Sequence, residues 1–344
     1  MSLNINQLSE SFKTFAKREC EGSSDLYEFL SLKIAEDDWL LELSSYAREG
    51  QPIPNLLLGA VHYLLLKGKN HVLREYYPSI VEHSKVVKES YIHFQSFCEL
   101  YREEIISILQ EKLVQTNEVR RCAYLYPTFS YIYNKTNRPL ALIEIGTSAG
   151  LQLLWDKYSY SYLSNEVYGD HNSELRIIAE IRGEKTPKLL SKSPPVNHRF
   201  GLDLHINDVT NEEDSLWLNS LIWPEHYERR ELFKQAIECI HNNRNEINLI
   251  EGDGVELLPH IVDQIPPEAV IGVFHTHVAN QMPENTKYKL LEYVKEIGEK
   301  RDVFHLYNNM WDRDLHLDYF INQIEHNEII GETDGHGRWF SWKL

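Results

Sequence analysis

The sequence predicts an α/β protein, a doubly wound sheet with a C-terminal antiparallel hairpin, preceded by an all-helical N-terminal part. Three observations carry this. Apolar residues recur at helical spacing up to about residue 115. After residue 120, short β-rich runs alternate with helical stretches, the pattern of parallel βαβ units. The first of those runs ends in a glycine-bearing turn, Gly146-Thr147-Ser148-Ala149-Gly150.

Taken in order, the helical half shows Phe12, Phe15 and Ala16, then Leu26, Phe29, Leu30 and Leu32, then Trp39, Leu40, Leu41 and Leu43 on helical faces. "GQPIPN" (50–55) interrupts it, because proline lacks a donor and pushes its predecessor out of the α region. The apolar run 55–66 contains His62 and is shorter than the roughly 20 residues that cross a bilayer. It predicts a buried core helix. In the second half, strands are expected at 139–145, 176–183, 196–204, 246–254, 269–277 and 302–310. Helices are expected after the glycine turn, from 211 to 241 with a break at Pro224, and at 254–264, 284–299 and 314–325. "NEIIGETD" and "GRWFSWKL", flanking "DGHG", give a terminal hairpin signal. The expected domains are 1–119, helical, and 120–344, the sheet domain, with an insertion around 160–195.

Composition narrows the function. With 344 residues and 42% hydrophobic content, the chain can build a large core. Its 52 acidic and 35 basic residues give a net charge of −17, which repels phosphate backbones and anionic lipid. Nucleic acid and membrane are therefore not expected partners, and a small-molecule substrate is. Cys20, Cys98, Cys122 and Cys239 lie far apart with no C-x-x-C pair, so neither a metal site nor a disulfide framework is expected. The N-terminus lacks the basic and apolar regions of a signal peptide, and a cytoplasmic location is expected. Oligomeric state is not legible.

Residues 146–150 also satisfy G-x-S-x-G, a nucleophile elbow with Ser148 as the attacking hydroxyl. An elbow normally follows several strands of its sheet, whereas the preceding 138 residues read as helix, and no HGGG oxyanion loop is present. A glycine loop after the first strand is where a doubly wound fold places a nucleotide-like cofactor. A nicotinamide oxidoreductase needs G-x-G-x-x-G, a spacing that Gly146 and Gly150 do not give.

The run "LIEIGTSAG" resembles the first motif of class I S-adenosylmethionine-dependent methyltransferases, with Ser148 where many members carry a glycine. The resemblance, over about 120–344, implies a Rossmann-like methyltransferase sheet and S-adenosylmethionine as cofactor. It implies cofactor contacts from Glu144, Gly146, Thr147, Ser148, Ala149 and Gly150, ribose contact by Asp203 of "FGLDL", and adenine contact by Gly252, Asp253 and Gly254. Asp203 lies later than the family's usual spacing of about 20 residues after the loop. Asp170 in "VYGD" is the fallback. Over its full length the chain resembles an uncharacterised bacterial family, domain of unknown function 2332, through "GSSDLYEFL", "GQPIPNLLLGAVHYLLL", "QTNEVRRCAYLYP", "EIGTSAGLQLLWDKYSY", "GLDLHINDVT", "LIWPEHYER" and "VFHTHV". That family implies no activity. A non-catalytic binding or scaffold protein that keeps the fold is therefore the alternative to a small-molecule methyltransferase.

Other candidates come from residue chemistry. Strand alternation in "FHTHV" puts His275 and His277 on one face, as a general base for a methyl acceptor, as satisfied core histidines, or as a metal-binding pair for which no third ligand sits at a persuasive spacing. "QTNEV" gathers Gln115, Asn117 and Glu118, with Arg121 beside them, as substrate-binding candidates or as a helix cap. "YNNMWD" adds Asn308, Asn309 and Trp311 as walls of an acceptor pocket. Asp253 can equally be a helix N-cap.

Overall fold

The computed structural model describes residues 4–115 and 117–344. The chain divides into two compact units, Met1–Thr116 with Asn211–Glu231, and Asn117–Thr210 with Leu232–Leu344. The segment Asn211–Glu231, read from the sequence as part of the sheet half, thus groups with the helical unit.

In the helical unit, α1 (Ile5–Phe15), α2 (Asp25–Ile34), α3 (Asp38–Ser44), α4 (Ile53–Leu66), α5 (Ser90–Leu100) and α6 (Arg102–Glu111) follow one another. Asn4, Ser24 and Asp37 cap α1, α2 and α3 by accepting from first-turn amides, which satisfies donors that no helix carbonyl can reach. Pro54 falls in the first turn of α4, where its missing N–H leaves no bond unmade. His62, inside α4, is a satisfied core histidine. Its Nδ1 lies 2.8 Å from Ser220 O and its Nε2 2.8 Å from Ser79 Oγ, and burial pushes its pKa down to about 3.

The second unit opens with α7 (Cys122–Thr136), which leads into β1 (Leu140–Ile145). Short strands β2 (Ser159–Ser161), β3 (Tyr168–Gly169), β4 (Arg176–Ile178) and β5 (Glu180–Arg182) precede β6 (Val196–Asp203). After α8 (Glu212–Ser220), which groups with the helical unit, and α9 (Tyr227–Asn243) come β7 (Asn248–Glu251), α10 (Gly254–Val262), β8 (Val270–His275), α11 (Glu284–Gly298) and β9 (Val303–Tyr307). Strands β10 (Asp314–Ile321), β11 (Ile324–Glu332) and β12 (Trp339–Ser341) close the chain.

Seven strands form one sheet in the order β11-β10-β9-β8-β1-β6-β7. β7, β6, β1, β8 and β9 are parallel, and β10 and β11 continue antiparallel. From β1 the chain builds outward through β6 to β7, then returns to the other side of β1 for β8 and β9. The order therefore reverses between β1 and β8. As the middle strand β1 is buried along its length, which explains the nearly unbroken apolar run "LALIEI". Ala141, Ile143 and Ile145 join Ile271, Val273, Leu258, Leu290 and Val294 in one core, with contributions from α10 and α11. On the other face Phe129 of α7 packs edge-on against Phe274 at 5.5 Å. Each such side chain contributes about 1.5–3 kcal/mol by leaving water.

Two expectations are corrected. Residues 314–325 are not a helix: "DLHLDYFI" alternates with period two and forms β10, paired with both β9 and β11. β10 and β11 instead form an antiparallel hairpin turning at Asn322 and Gln323, both at positive φ. The hairpin expected around "DGHG" is present as a short one, with Thr333 bridging Phe340 antiparallel and Asp334 N donating to Trp339 O at 2.9 Å, while β12 also pairs in parallel with β5 in a separate small sheet. After the glycine loop the chain makes a 3-10 segment, Leu151–Lys157, kinked at Leu154, rather than a regular α-helix. No helix among the described residues is long and apolar enough to cross a membrane.

Candidate functional site

β9, β8 and β1 are neighbours, and their carboxyl ends meet where the strand order reverses. Within three residues of each end stands a non-glycine residue at left-handed φ: Ser148 at 53°, His277 at 58° and Asn309 at 56°. For ordinary side chains this conformation costs roughly 1–2 kcal/mol and persists only where the surroundings enforce it. The enforcing contacts are polar and local.

At Ser148 the N–H donates to Asp203 Oδ2 at 2.8 Å, the carbonyl accepts from Asn207 N at 3.1 Å, and Oγ accepts from Asn207 Nδ2 at 3.1 Å. Its hydroxyl thus faces an amide rather than an imidazole. Gly146 N and Thr147 N both donate to Leu202 O, and Gly150 N donates to Thr147 O. Gly146 and Gly150 are at φ 75° and 76°, and a Cβ would collide with Val278 at the first and lie 2.9 Å from Leu249 at the second. Those glycines permit close packing around the loop. Ala149 is buried in the same turn.

Glu144, fully inside β1, accepts from Thr147 Oγ1 at 2.6 Å. Burial foremost, with Asp203 adding repulsion, outweighs Thr147 and Arg121 and pushes its pKa up to about 8. Asp203 closes β6, the strand beside β1, and stays partly exposed. One oxygen accepts from Ser148 N, and the other accepts from His205 N at 3.1 Å. Burial raises its pKa against those bonds. The strands within 160–195 join small sheets and not the main one, so no other strand intervenes between β1 and β6. Asp170 follows β3 in one of those small sheets and caps a turn through Asn172 N. Asp253 is the N-cap of α10, accepting from Val255 N and Glu256 N, and Gly252 and Gly254 flank it at the end of β7.

The two histidines of "FHTHV" do not share a site. The strand ends at His275, and the left-handed turn at His277 breaks the alternation that would have put them on one face. His275 is fully buried, with Nε2 3.1 Å from Nε2 of His305, and burial lowers its pKa to about 3. His277 donates its N–H to Asn308 Oδ1 at 2.9 Å, and its Nδ1 lies 2.9 Å from Asn309 Nδ2. Burial, then Arg121 and His336, lower its pKa to about 3. Neither imidazole is an effective base near neutrality.

From the turn before α7, Arg121 reaches the residue beside His277. Arg121 donates from Nε to Gly335 O at 3.0 Å and from Nη1 to Thr276 O and Oγ1, both at 3.4 Å. Gln152 Nε2 donates to Thr276 Oγ1 at 3.1 Å. Buried Glu118 lies 3.6 Å from His336 Nδ1. Burial alone would raise Asp334, but the Arg338 fork and nearby amides outweigh it and hold its pKa at about 2. Gln115 belongs to the helical unit. Trp311 stands half exposed, donating to Glu284 Oε2 at 3.2 Å. Gln152, Asn207, His305 and His336 were not foreseen. The clue for Gln152 is a lone polar residue in the apolar run "LQLLW", and for Asn207 an amide four residues beyond Asp203. Among the described residues no group of three or more His, Cys, Asp or Glu is arranged to hold a metal ion.

Over residues 9–342 the chain matches the family model described as "Uncharacterized protein conserved in bacteria (DUF2332)". No curated protein and no solved structure matches it.

Proposed function

We propose, from the premise that the chain belongs to this bacterial family, that it is an S-adenosylmethionine-dependent methyltransferase acting on a small molecule. The observation that carries the reading is the juxtaposition at the reversal point of the sheet. A glycine loop closes the first strand, and the acid ending the neighbouring strand is bonded to that loop. Open sheets of this order take ligands outside the carboxyl ends of their strands at that point. Asp203 fits the ribose of such a cofactor. Backbone N–H groups fix both of its oxygens, and a carboxylate with two acceptor oxygens is what two vicinal hydroxyls require. When bound, S-adenosylmethionine supplies a methyl group already activated on a sulfonium.

The chain's own task is then alignment and exclusion of water. The acceptor side is the cluster of Arg121, Gln152, Thr276, His277 and Asn308. Because burial keeps His275 and His277 neutral, with pKa values of about 3, neither takes a proton from the acceptor. The acceptor arrives with its lone pair free, as a thiolate or a neutral amine does. A net charge of −17 favours neutral or cationic molecules over nucleic acid.

A second reading, a non-catalytic binding protein that keeps the same sheet, is favoured by one observation. The N–H groups of Gly146, Thr147, Ser148 and Gly150 all bond within the protein, and Asn207 closes over Ser148. Isothermal titration with S-adenosylmethionine and S-adenosylhomocysteine distinguishes the two. The methyltransferase reading expects micromolar binding that Asp203→Ala weakens at least about tenfold, roughly 1.4 kcal/mol. Folded protein that binds neither compound would leave the binding reading in its place.

A further inference from the structure

We propose that His277 presents an N–H to the carboxyl-edge cluster, and that this N–H receives an acceptor oxygen of the bound small molecule, a carboxylate or a carbonyl. The inference takes only its location from the reading above. Asn309 Nδ2 lies 2.9 Å from His277 Nδ1. An amide nitrogen only donates, so Nδ1 accepts. A neutral imidazole whose Nδ1 accepts carries its single proton on Nε2. The ring is neutral because burial, and after it Arg121 and His336, disfavour the charged form more than Asp334 favours it.

Nε2 is buried and has no hydrogen-bond partner among the described residues. The contact of Nδ1 with Asn309 holds the ring, and the backbone beside it is held as well. The His277 N–H is held by Asn308 Oδ1 at 2.9 Å, and Asn308 Nδ2 lies 3.3 Å from Thr333 Oγ1, which fixes the orientation of that amide. His277 and Asn309 are both held at left-handed φ. Left-handed backbone and a buried donor without an acceptor are each unfavourable alone. Maintaining both at one residue is expected where an occupant supplies the missing acceptor. A second buried donor, Asn117 Nδ2, also lacks a partner among the described residues, and it belongs to the turn whose Arg121 bonds Thr276, the residue before His277. Of the nearby acids, Asp334 is engaged by Arg338 and Glu118 accepts from Arg120 N, so neither stands as the missing acceptor. His277 is thus a recognition residue, not the proton acceptor that its sequence position suggests.

Long-range proton–nitrogen correlation spectra of the full-length, nitrogen-15-labelled protein test this, with His277 assigned through His277→Gln. Wild-type protein should show the Nε2–H form and no titration between about pH 5.5 and 8, where an ordinary histidine titrates. Acetate and acetamide are the probes for carboxylate and carbonyl. At least one should shift the Nε2–H signal saturably, and the one that does identifies the oxygen class. Asn309→Asp, nearly isosteric, should move the proton to Nδ1 and weaken the probe response at least about tenfold. An Nδ1–H form in wild type, ordinary titration, or no response to either probe would overturn the inference. The outcome is separate from the cofactor titration. A probe response without S-adenosylmethionine binding keeps this inference and removes the methyltransferase, and cofactor binding with an Nδ1–H form does the reverse.

Discussion

Glu144 is a carboxyl group inside the central strand, and its pKa of about 8 against an ordinary 4.5 makes it a stability determinant with a definite sign. A raised acid favours folding while protonated, so its contribution is complete below about 4.5 and is lost as pH rises through 8. Wild-type stability should fall across that window by up to about 1.4 kcal/mol per pH unit from this group. Glu144→Gln should flatten the alkaline side of the profile, and denaturant melts from pH 5 to about 9 would show an unchanged slope if the carboxyl were ionised throughout. Gly146→Ala should cost about 2 kcal/mol or more, since it adds a left-handed Cβ against Val278. Thermal melts measure it. Much of this neighbourhood was legible as sequence. The loop, Asp203, His277 and Asn308 are local signals at strand ends, and the Asn117–Arg121 turn is one before a helix. What escaped was pairing across distance: Asn207 on Ser148, His305 on His275 and His336 beside Glu118 join segments that no periodicity connects.

Among the elements, the hairpin of β10 and β11 turns on two residues, both left-handed, Asn322 at φ 53° and Gln323 at 66°. Two-residue hairpins of this hand prefer Asn-Gly, and only the first residue here matches. Gln323→Gly should therefore stabilise the protein by up to about 1 kcal/mol, read as a higher melting temperature. A lower one would mean that the Gln323 side chain makes contacts worth more than the strain. The same hairpin shows why the edge of the sheet was misread. Leu315, Leu317 and Tyr319 are buried at period two, but an apolar stretch of this length near a helix-rich segment also fits a helical stripe. The central strands had no such ambiguity, because "LALIEI", "AVIGVFH" and "DVFHLY" are short, mostly apolar and bounded by turns. β2 and β3, three and two residues long, are set by pairing partners rather than by pattern.

At the scale of the whole molecule, each unit carries buried histidines that must stay neutral: His62 in the helical unit, His275 and His277 in the other, all with pKa values of about 3 against an ordinary 6.5. A base held below its ordinary value supports folding above 6.5 and loses that support as pH falls toward 3. Acid should therefore destabilise both units, each histidine removing up to about 1.4 kcal/mol per pH unit within that window. Melting temperature from about pH 7.5 to 4 checks it, and His62→Gln should shallow the slope only if the helical unit contributes.

The interleaving of the two units also constrains the order of synthesis. α8 lies in the segment that the helical unit takes from Asn211–Glu231, and it packs on α4, where Gly59 admits Leu221 and Trp217. About 115 residues must be translated after Thr116 before that segment is complete. At roughly 5–20 residues per second, the apolar face of α4 waits roughly 6 to 23 seconds on the ribosome for its covering helix. The nascent chain thus leaves one face of its most hydrophobic helix uncovered for about a third of its synthesis. For the same reason the helical half is not a module that can be cut out at its first boundary.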